Sequence, residues 1–219
     1  GQLTPHYHYV SRPPFTEAEA VRRAIYLAGQ TDTPLYIAHM TCREAIAELQ
    51  KAKGTGQRVS GETCTHYLTT TKEVLDNPDF NEAAKFVCSP ALRDREDCEA
   101  LWQALSDGLL TAVSSDRCGI DVAELKQAGR NDFTQIPNGS PGAGDRLHMV
   151  WTEGVCTGKL TRQKFVDVIA TQPAKINGIY PRKGTLAVGS DADAVIFDPN
   201  YEGTVHLADN PNGVDYNLY

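Results

Sequence analysis

Apolar positions recur along this chain in two alternating rhythms. Val21, Ala24, Ile25 and Ala28 are spaced i, i+3, i+4 and i+7, the stripe a helix turns toward a core. Just ahead of them, Thr16-Glu17-Ala18-Glu19 has the form of a capping box, in which a hydroxyl and a carboxylate satisfy the free amides of a helix start. Residues 35–38 are a short continuous apolar run of the buried-strand kind. A second capping box, Thr41-Cys42-Arg43-Glu44, predicts a helix carrying Ala45, Ile46 and Leu49, ended by Gly54-Thr55-Gly56. Residues 58–62 then return as strand.

The same rhythm continues. Residues 86–88 read as a strand halted at Ser89-Pro90, and Asp94 caps a helix with Cys98, Leu101, Trp102 and Leu105 on one face. Gly108 stands where a helix C-terminus favours glycine, and residues 109–113 form the next strand. Four strand-then-loop units result, ending near His39, His66, Ser89 and Asp116, and strand–helix alternation predicts a parallel α/β sheet. The opening residues 1–14 and the Gly-, Pro- and Asn-rich residues 131–144 read as loops. Helical patterns follow over 145–155 and 161–169. After Gly184 the period becomes two, with strands expected at 185–188 and 194–198 around a turn at Gly189-Ser190-Asp191. The expected division is an α/β part over 1–183 and a small β-module over 184–219.

Size and charge narrow the function classes. A chain of 219 residues with 41% hydrophobic and 22% charged residues buries a substantial core. A net charge of −7 argues against a nucleic-acid surface, which needs clustered Lys and Arg to neutralise phosphates. No run of about 18 apolar residues predicts a membrane span. Six cysteines are scattered singly without a CxxC pair, so reduced thiols in a cytoplasmic protein are the expectation.

The candidate chemistry sits at the strand ends. His39, His66 and Asp116 each lie at or just past the end of an apolar or β-branched run, and a parallel barrel gathers such ends at one face. Neutral imidazole and carboxylate suit a divalent metal. The bland reading is a hydrogen-bonded structural histidine for each His and a capping role for Asp116. His6-Tyr7-His8 has HxH spacing, but Pro5 and Pro13-Pro14 flank it and no apolar strand carries it. His148 and His206 read as structural or exposed. Ser89 and Asn138 sit in loops beside the proposed site, where backbone amides could hold a cyclic amide; ordinary turn chemistry is the alternative.

Several motifs closely resemble the dihydropyrimidinase/hydantoinase family of cyclic amidohydrolases: Gly61-Glu62-Thr63-Cys64-Thr65-His66-Tyr67-Leu68, Cys88-Ser89-Pro90-Ala91-Leu92-Arg93 and Ile136-Pro137-Asn138-Gly139. Tyr180-Pro181-Arg182-Lys183-Gly184-Thr185 and Gly189-Ser190-Asp191-Ala192-Asp193 extend the likeness. The resemblance implies a (β/α)8 barrel with a small β-sandwich, a tetramer, and two zinc ions bridged by a carbamylated lysine and a hydroxide. It places His39, His66 and Asp116 among the metal ligands and gives Asp116 the role of proton carrier. Ser89 and Asn138 match residues whose main chain binds the ring amide. The implied reaction is hydrolytic ring opening of a dihydropyrimidine or hydantoin to an N-carbamoyl amino acid.

Two departures accompany the likeness. Arg117 stands where the family usually has histidine. The HxH strand and the bridging lysine, which should precede His39, are not there; the first lysine is Lys51. The expectation is therefore the second half of a barrel, with half the usual ligands and no activity by itself. Alternatives are a non-catalytic dihydropyrimidinase-related assembly protein, and an allantoinase- or dihydroorotase-type enzyme. Retention of His39, His66, Asp116 and Asn138 favours enzyme ancestry.

Overall fold

Three short segments of the chain lie side by side because each is flanked by a helix whose apolar face needs covering. In the computed structural model, which describes residues 2–209 and 211–219, β1 (Leu35–Ile37), β2 (Val59–Cys64) and β3 (Ala112–Ser114) form a parallel sheet in the order β1-β2-β3. Leu35 faces Val59 and Ile37 faces Gly61 across the first pair, and Cys64 faces Ser114 across the second. Gly61 leaves room for the core there, since a Cβ would stand 2.7 Å from Met40 Sδ and 3.1 Å from Leu49 Cδ2 and push those side chains aside.

Helices α2 (Pro14–Gln30), α3 (Arg43–Gly54) and α6 (Arg95–Ser106) pack against this sheet, preceded by the short α1 (His6–Val10) and interleaved with α4 (Thr65–Thr69) and α5 (Phe80–Ala84). The predicted stripes face inward: Val21, Ala45, Leu49, Leu101, Trp102 and Leu105 are buried in one core, and Cys98 is buried as well. Each fully buried leucine contributes about 2 kcal/mol of transfer free energy. Trp102 satisfies its indole N–H on the Leu68 carbonyl at 3.0 Å. Two longer helical stretches close the α/β part. The first is α7 (Arg146–Val150) running into a π-helical turn, Trp151–Val155. The second is α8 (Arg162–Val166) and α9 (Gln172–Ile176), joined by a π-helical turn at Asp167–Thr171. Pro173 lies just after that turn; its missing N–H and bulky ring are incompatible with an undisturbed α-helical ladder there.

Several expectations are corrected. The sheet has three strands among the described residues, not four, because residues 86–88 are not in it. Their carbonyls go elsewhere: Val87 accepts from Gly139 N at 3.0 Å and Cys88 accepts from the His8 ring at 2.7 Å. Residues 6–10, read as loop, are helical and pinned by that same His8 bond. Neither capping box closes on itself. Glu17 instead accepts the Thr41 backbone N–H at 2.8 Å, and the first amide of α3, Arg43 N, is capped by Asp97 of α6 at 3.0 Å. Asp94 starts α6 as expected but pairs with Lys72 at 2.6 Å without bonding a helix amide.

Residues 185–188 and 194–198 form no strands. Leu186, Val188, Val195 and Ile196 are all strongly exposed. An alternating pattern makes a strand only where another strand takes its backbone groups, and no described segment does so. The tail over 211–219 instead returns to the α/β part, burying Tyr216 and Leu218 against Val122. No helix among the described residues is long and apolar enough to cross a membrane.

Candidate metal and substrate site

At the C-terminal ends of β2 and β3 the chain brings together three ligand-type atoms. Cys64 is the last residue of β2, His66 lies in the first turn of α4, and Asp116 follows β3 by two residues. The ligand atoms of Cys64, His66 and Asp116 all lie within 4.8 Å of one another. Asp116 reaches them through a left-handed backbone, φ +44°, and His39 adopts φ +40° at the end of β1. Left-handed residues at two strand ends are uncommon outside glycine and re-aim their side chains sharply.

His66 is the informative member. It is 2% exposed, yet neither Nδ1 nor Nε2 has a hydrogen-bond partner. Leaving two buried polar atoms unpaired costs a few kcal/mol, which a bound cation would recover. Burial, reinforced by the neighbouring His39, lowers its pKa to about 4. The ring is therefore neutral at pH 7, the form that ligates metal. His39 is close enough to influence His66 but stands outside the compact trio.

Ser89 and Asn138 also come together, Ser89 Oγ donating to Asn138 Oδ1 at 3.4 Å, and both are exposed. Ser89 and His39 line one groove of about 650 Å³ between α2 and β1, with Glu17, Tyr36 and Arg93 on its walls. Arg117 is occupied elsewhere. Its Nη2 donates to the Asn212 carbonyl at 2.5 Å, so the cation belongs to the fastening of the tail. The HxH pair lies in α1, apart from the trio: His6 pairs with Asp76 at 2.7 Å and His8 is buried on the Cys88 carbonyl. His148 packs near Phe197 with the two rings tilted by 36°, and His206 is exposed.

Sequence reasoning missed two residues that shape this face. Lys126 is fully buried, and its Nζ donates to the carbonyls of Ala84 and Gly139, both at 2.7 Å, and of Val87 at 3.3 Å. Burial lowers its pKa to about 8. It ties the segment before Ser89 to the residue after Asn138, and no periodicity around it signals this. Cys64, also missed, carried one available signal: it closes a strand two residues before His66. All six cysteines are free.

The amidohydrolase family model matches residues 21–217. A D-hydantoinase of Ralstonia pickettii is 48% identical over 219 residues, covering 100% of this chain and 48% of the relative. The solved dihydropyrimidinase from Brevibacillus agri NCHU1002 superposes with a TM-score of 0.96 at 44% identity, covering 99% of this chain and 47% of that one. A solved D-hydantoinase gives a TM-score of 0.97 at 48% identity over 100% of this chain and 48% of its own. The chain thus spans about half the length of the relatives it matches.

Proposed function

Because this chain belongs to the amidohydrolase family, we propose that it carries the later half of a cyclic amidohydrolase site, opening a hydantoin or dihydropyrimidine ring to an N-carbamoyl amino acid. The observation that carries this reading is the buried, unpartnered ring of His66 beside Asp116, and the pairing of Ser89 with Asn138 supports it. In the whole protein, residues 1–183 would form the second half of a (β/α)8 barrel, and 184–219, which form no strand among the described residues, would pair into a small β-sandwich with segments outside this chain. The protein works as a cytoplasmic tetramer.

The donor set fits divalent metal. His39 and His66 would hold one zinc ion and Asp116 a second, with a carbamylated lysine and an HxH pair outside these 219 residues completing the set. Bound, such ions polarise a carbonyl and lower the pKa of water. The chain's own residues do the remaining work. Main-chain groups of Ser89 and Asn138 fix the ring amide. Asp116, as carboxylate, takes the proton of the attacking water as the C–O bond forms. It returns that proton to the ring nitrogen as the C–N bond breaks. Asp116 is solvent-accessible, which leaves room for substrate above it.

Replacing the matched half of the Ralstonia pickettii D-hydantoinase with this chain tests the reading. The chimera is expected to open hydantoin, and its Asp116→Asn variant to lose about 10²–10⁴-fold in kcat. A folded, metal-loaded chimera without turnover overturns the proposal. The 219-residue chain by itself is expected to give no turnover even with zinc.

A further inference from the structure

Lys126 is the buried ionisable group that the ring-opening reading leaves unused. Its side chain is fully enclosed, and its ammonium is met by backbone carbonyls. Asp215, a carboxylate close enough to act on its charge, is itself held by the Val122 and Ala123 N–H groups at 2.9 and 2.7 Å. Keeping a cation inside a protein without a carboxylate bonded to it is costly, and an apolar residue of equal volume would avoid that cost. We propose that Lys126 is a positioning residue for ring binding, one that sets the distance between the Ser89 and Asn138 loops without touching substrate. This role rests on the ring-opening reading above and adds to it a residue that governs KM.

Two of the three close contacts of the ammonium are duplicated by the backbone. The Ala84 carbonyl also accepts Val87 N at 3.3 Å, and the Val87 carbonyl also accepts Gly139 N at 3.0 Å. Among the described residues, the Gly139 carbonyl has no such second donor, and Lys126 Nζ reaches it at 2.7 Å. The contact that Lys126 alone makes is therefore on the residue after Asn138.

Peptide planarity carries that contact into the ring site. The Asn138–Gly139 peptide is trans and spends its N–H on Val87, so the Asn138 carbonyl points away from Val87. Among the described residues, neither that carbonyl nor the Ser89 N–H has a backbone partner. One acceptor and one donor are thus left over, the pair that the N–H and C=O of a cyclic amide require. Their separation depends on how closely residues 87 and 139 are held. Lys126 is itself fixed, because Gln127 Nε2 donates to Asn81 Oδ1 at 2.9 Å and to the Val122 carbonyl at 2.6 Å. The ammonium cannot follow a drifting loop, so the loops stay with it.

The test is steady-state kinetics of hydantoin opening by the metal-loaded chimera with the Ralstonia pickettii half. Lys126→Met is expected to raise KM about tenfold with kcat within about twofold, short of the roughly 100-fold that a misplacement of about 1 Å can cost. Lys126→Gln, neutral and shorter but still an N–H donor, is expected to fall between wild type and Lys126→Met, because the hydrogen bond and not the volume carries the effect. Gly56→Ala, a strained substitution before β2 at the opposite end of the strands, is the stability control and is expected to leave KM unchanged. An unchanged KM in folded Lys126→Met, a higher KM in Lys126→Gln than in Lys126→Met, or an equal rise in Gly56→Ala overturns the positioning role and leaves the ring-opening reading standing. Should Lys126→Met misfold by circular dichroism, Lys126→Gln decides against Gly56→Ala: a raised KM supports the role and an unchanged one overturns it. A folded, metal-loaded wild-type chimera without turnover removes the ring-opening reading, and the role with it.

Discussion

The ammonium of Lys126 donates to the Gly139 carbonyl at 2.7 Å, immediately after Asn138. Its other bonds, to Ala84 and Val87, end two residues before Ser89. One buried cation therefore sets the spacing between the two loops that carry the proposed ring-amide contacts. Lys126→Met keeps the volume but removes the donor to the Gly139 carbonyl, whereas the Ala84 and Val87 carbonyls keep the backbone N–H groups of Val87 and Gly139. A loss of roughly 1–3 kcal/mol is expected, the cost of one unsatisfied buried group. Amide exchange at Gly139, whose N–H is bonded to Val87, is expected to rise more than exchange in α3. Urea unfolding and hydrogen exchange check both parts; a uniform rise in exchange would reduce Lys126 to general packing.

Lys126 also marks where sequence pattern stops being informative. Helices α2, α3 and α6 and strands β1, β2 and β3 are legible because each buries an apolar set with helical or strand spacing. Residues 86–88 share the composition of a strand, but an apolar run of three does not say where its carbonyls go. Here they go to His8, Lys126 and Gly139. The capping boxes failed for a related reason. Thr16 lies inside a helix that already starts at Pro14 and donates to the Pro13 carbonyl, and the Thr41 hydroxyl is taken by Glu17 and Arg93, 24 and 52 residues away. Among the candidate residues, strand-end position pointed to His39, His66 and Asp116, and the structure brings His66 and Asp116 together with Cys64. The thiol beside them was passed over because cysteine was read only for disulfide and CxxC spacing.

Among the described residues, Arg93 and Glu17 make the one ion pair in which both side chains are nearly buried, 5% and 11% exposed and 3.2 Å apart. Arg93 Nε also donates to Thr41 Oγ1 at 2.9 Å, two residues beyond His39. Glu17→Ala strands the guanidinium and removes the acceptor of the Thr41 amide, so a cost of about 3–5 kcal/mol is expected. Arg93→Ala added to it is expected to cost much less than its own single effect. A double-mutant cycle by denaturant unfolding measures this, with a coupling of about 1–3 kcal/mol expected. Strict additivity would mean the pair is not energetically linked.

His8 predicts a pH dependence with a definite sign. Burial, with Arg12, Lys126 and Arg93 nearby, lowers its pKa to about 4 despite the hydrogen bond to Cys88. Unfolded, it titrates near 6.5. Between those values the unfolded chain holds the extra proton, so stability is full above about pH 6.5 and falls toward pH 4. The loss approaches 1.4 kcal/mol per pH unit, on the order of 3 kcal/mol across the window. His8→Gln, which cannot charge, is expected to be less stable at pH 7 but to show a shallower decline. Urea midpoints at pH 7, 6 and 5 compare the slopes, and parallel slopes would rule His8 out as the source.

Gly139 and Gly56 separate two costs of adding a methyl group. Both have positive φ, +148° and +80°, but a Cβ at Gly56 meets nothing within 4 Å. Gly56→Ala is therefore expected to lose about 1 kcal/mol from the backbone alone. At Gly139 the new carbon would stand 2.5 Å from the Cys118 carbonyl oxygen and 2.6 Å from Cys118 Cβ. Neither neighbour can yield easily, because the Cys118 N–H is bonded to Ser140 O at 3.0 Å and residues 117 and 140 form a β-bridge. Gly139→Ala must then move the Asn138 loop away from the segment carrying Asp116, adding roughly 1–3 kcal/mol of overpacking to the backbone cost. Thermal or urea unfolding of the two variants gives the difference. In the proposed chimera Gly139→Ala is further expected to raise KM more than it lowers kcat, since it displaces a ring-amide contact and leaves Asp116 in place. Equal stability losses at the two glycines would show that the 118–140 contact is loose enough to absorb a methyl group.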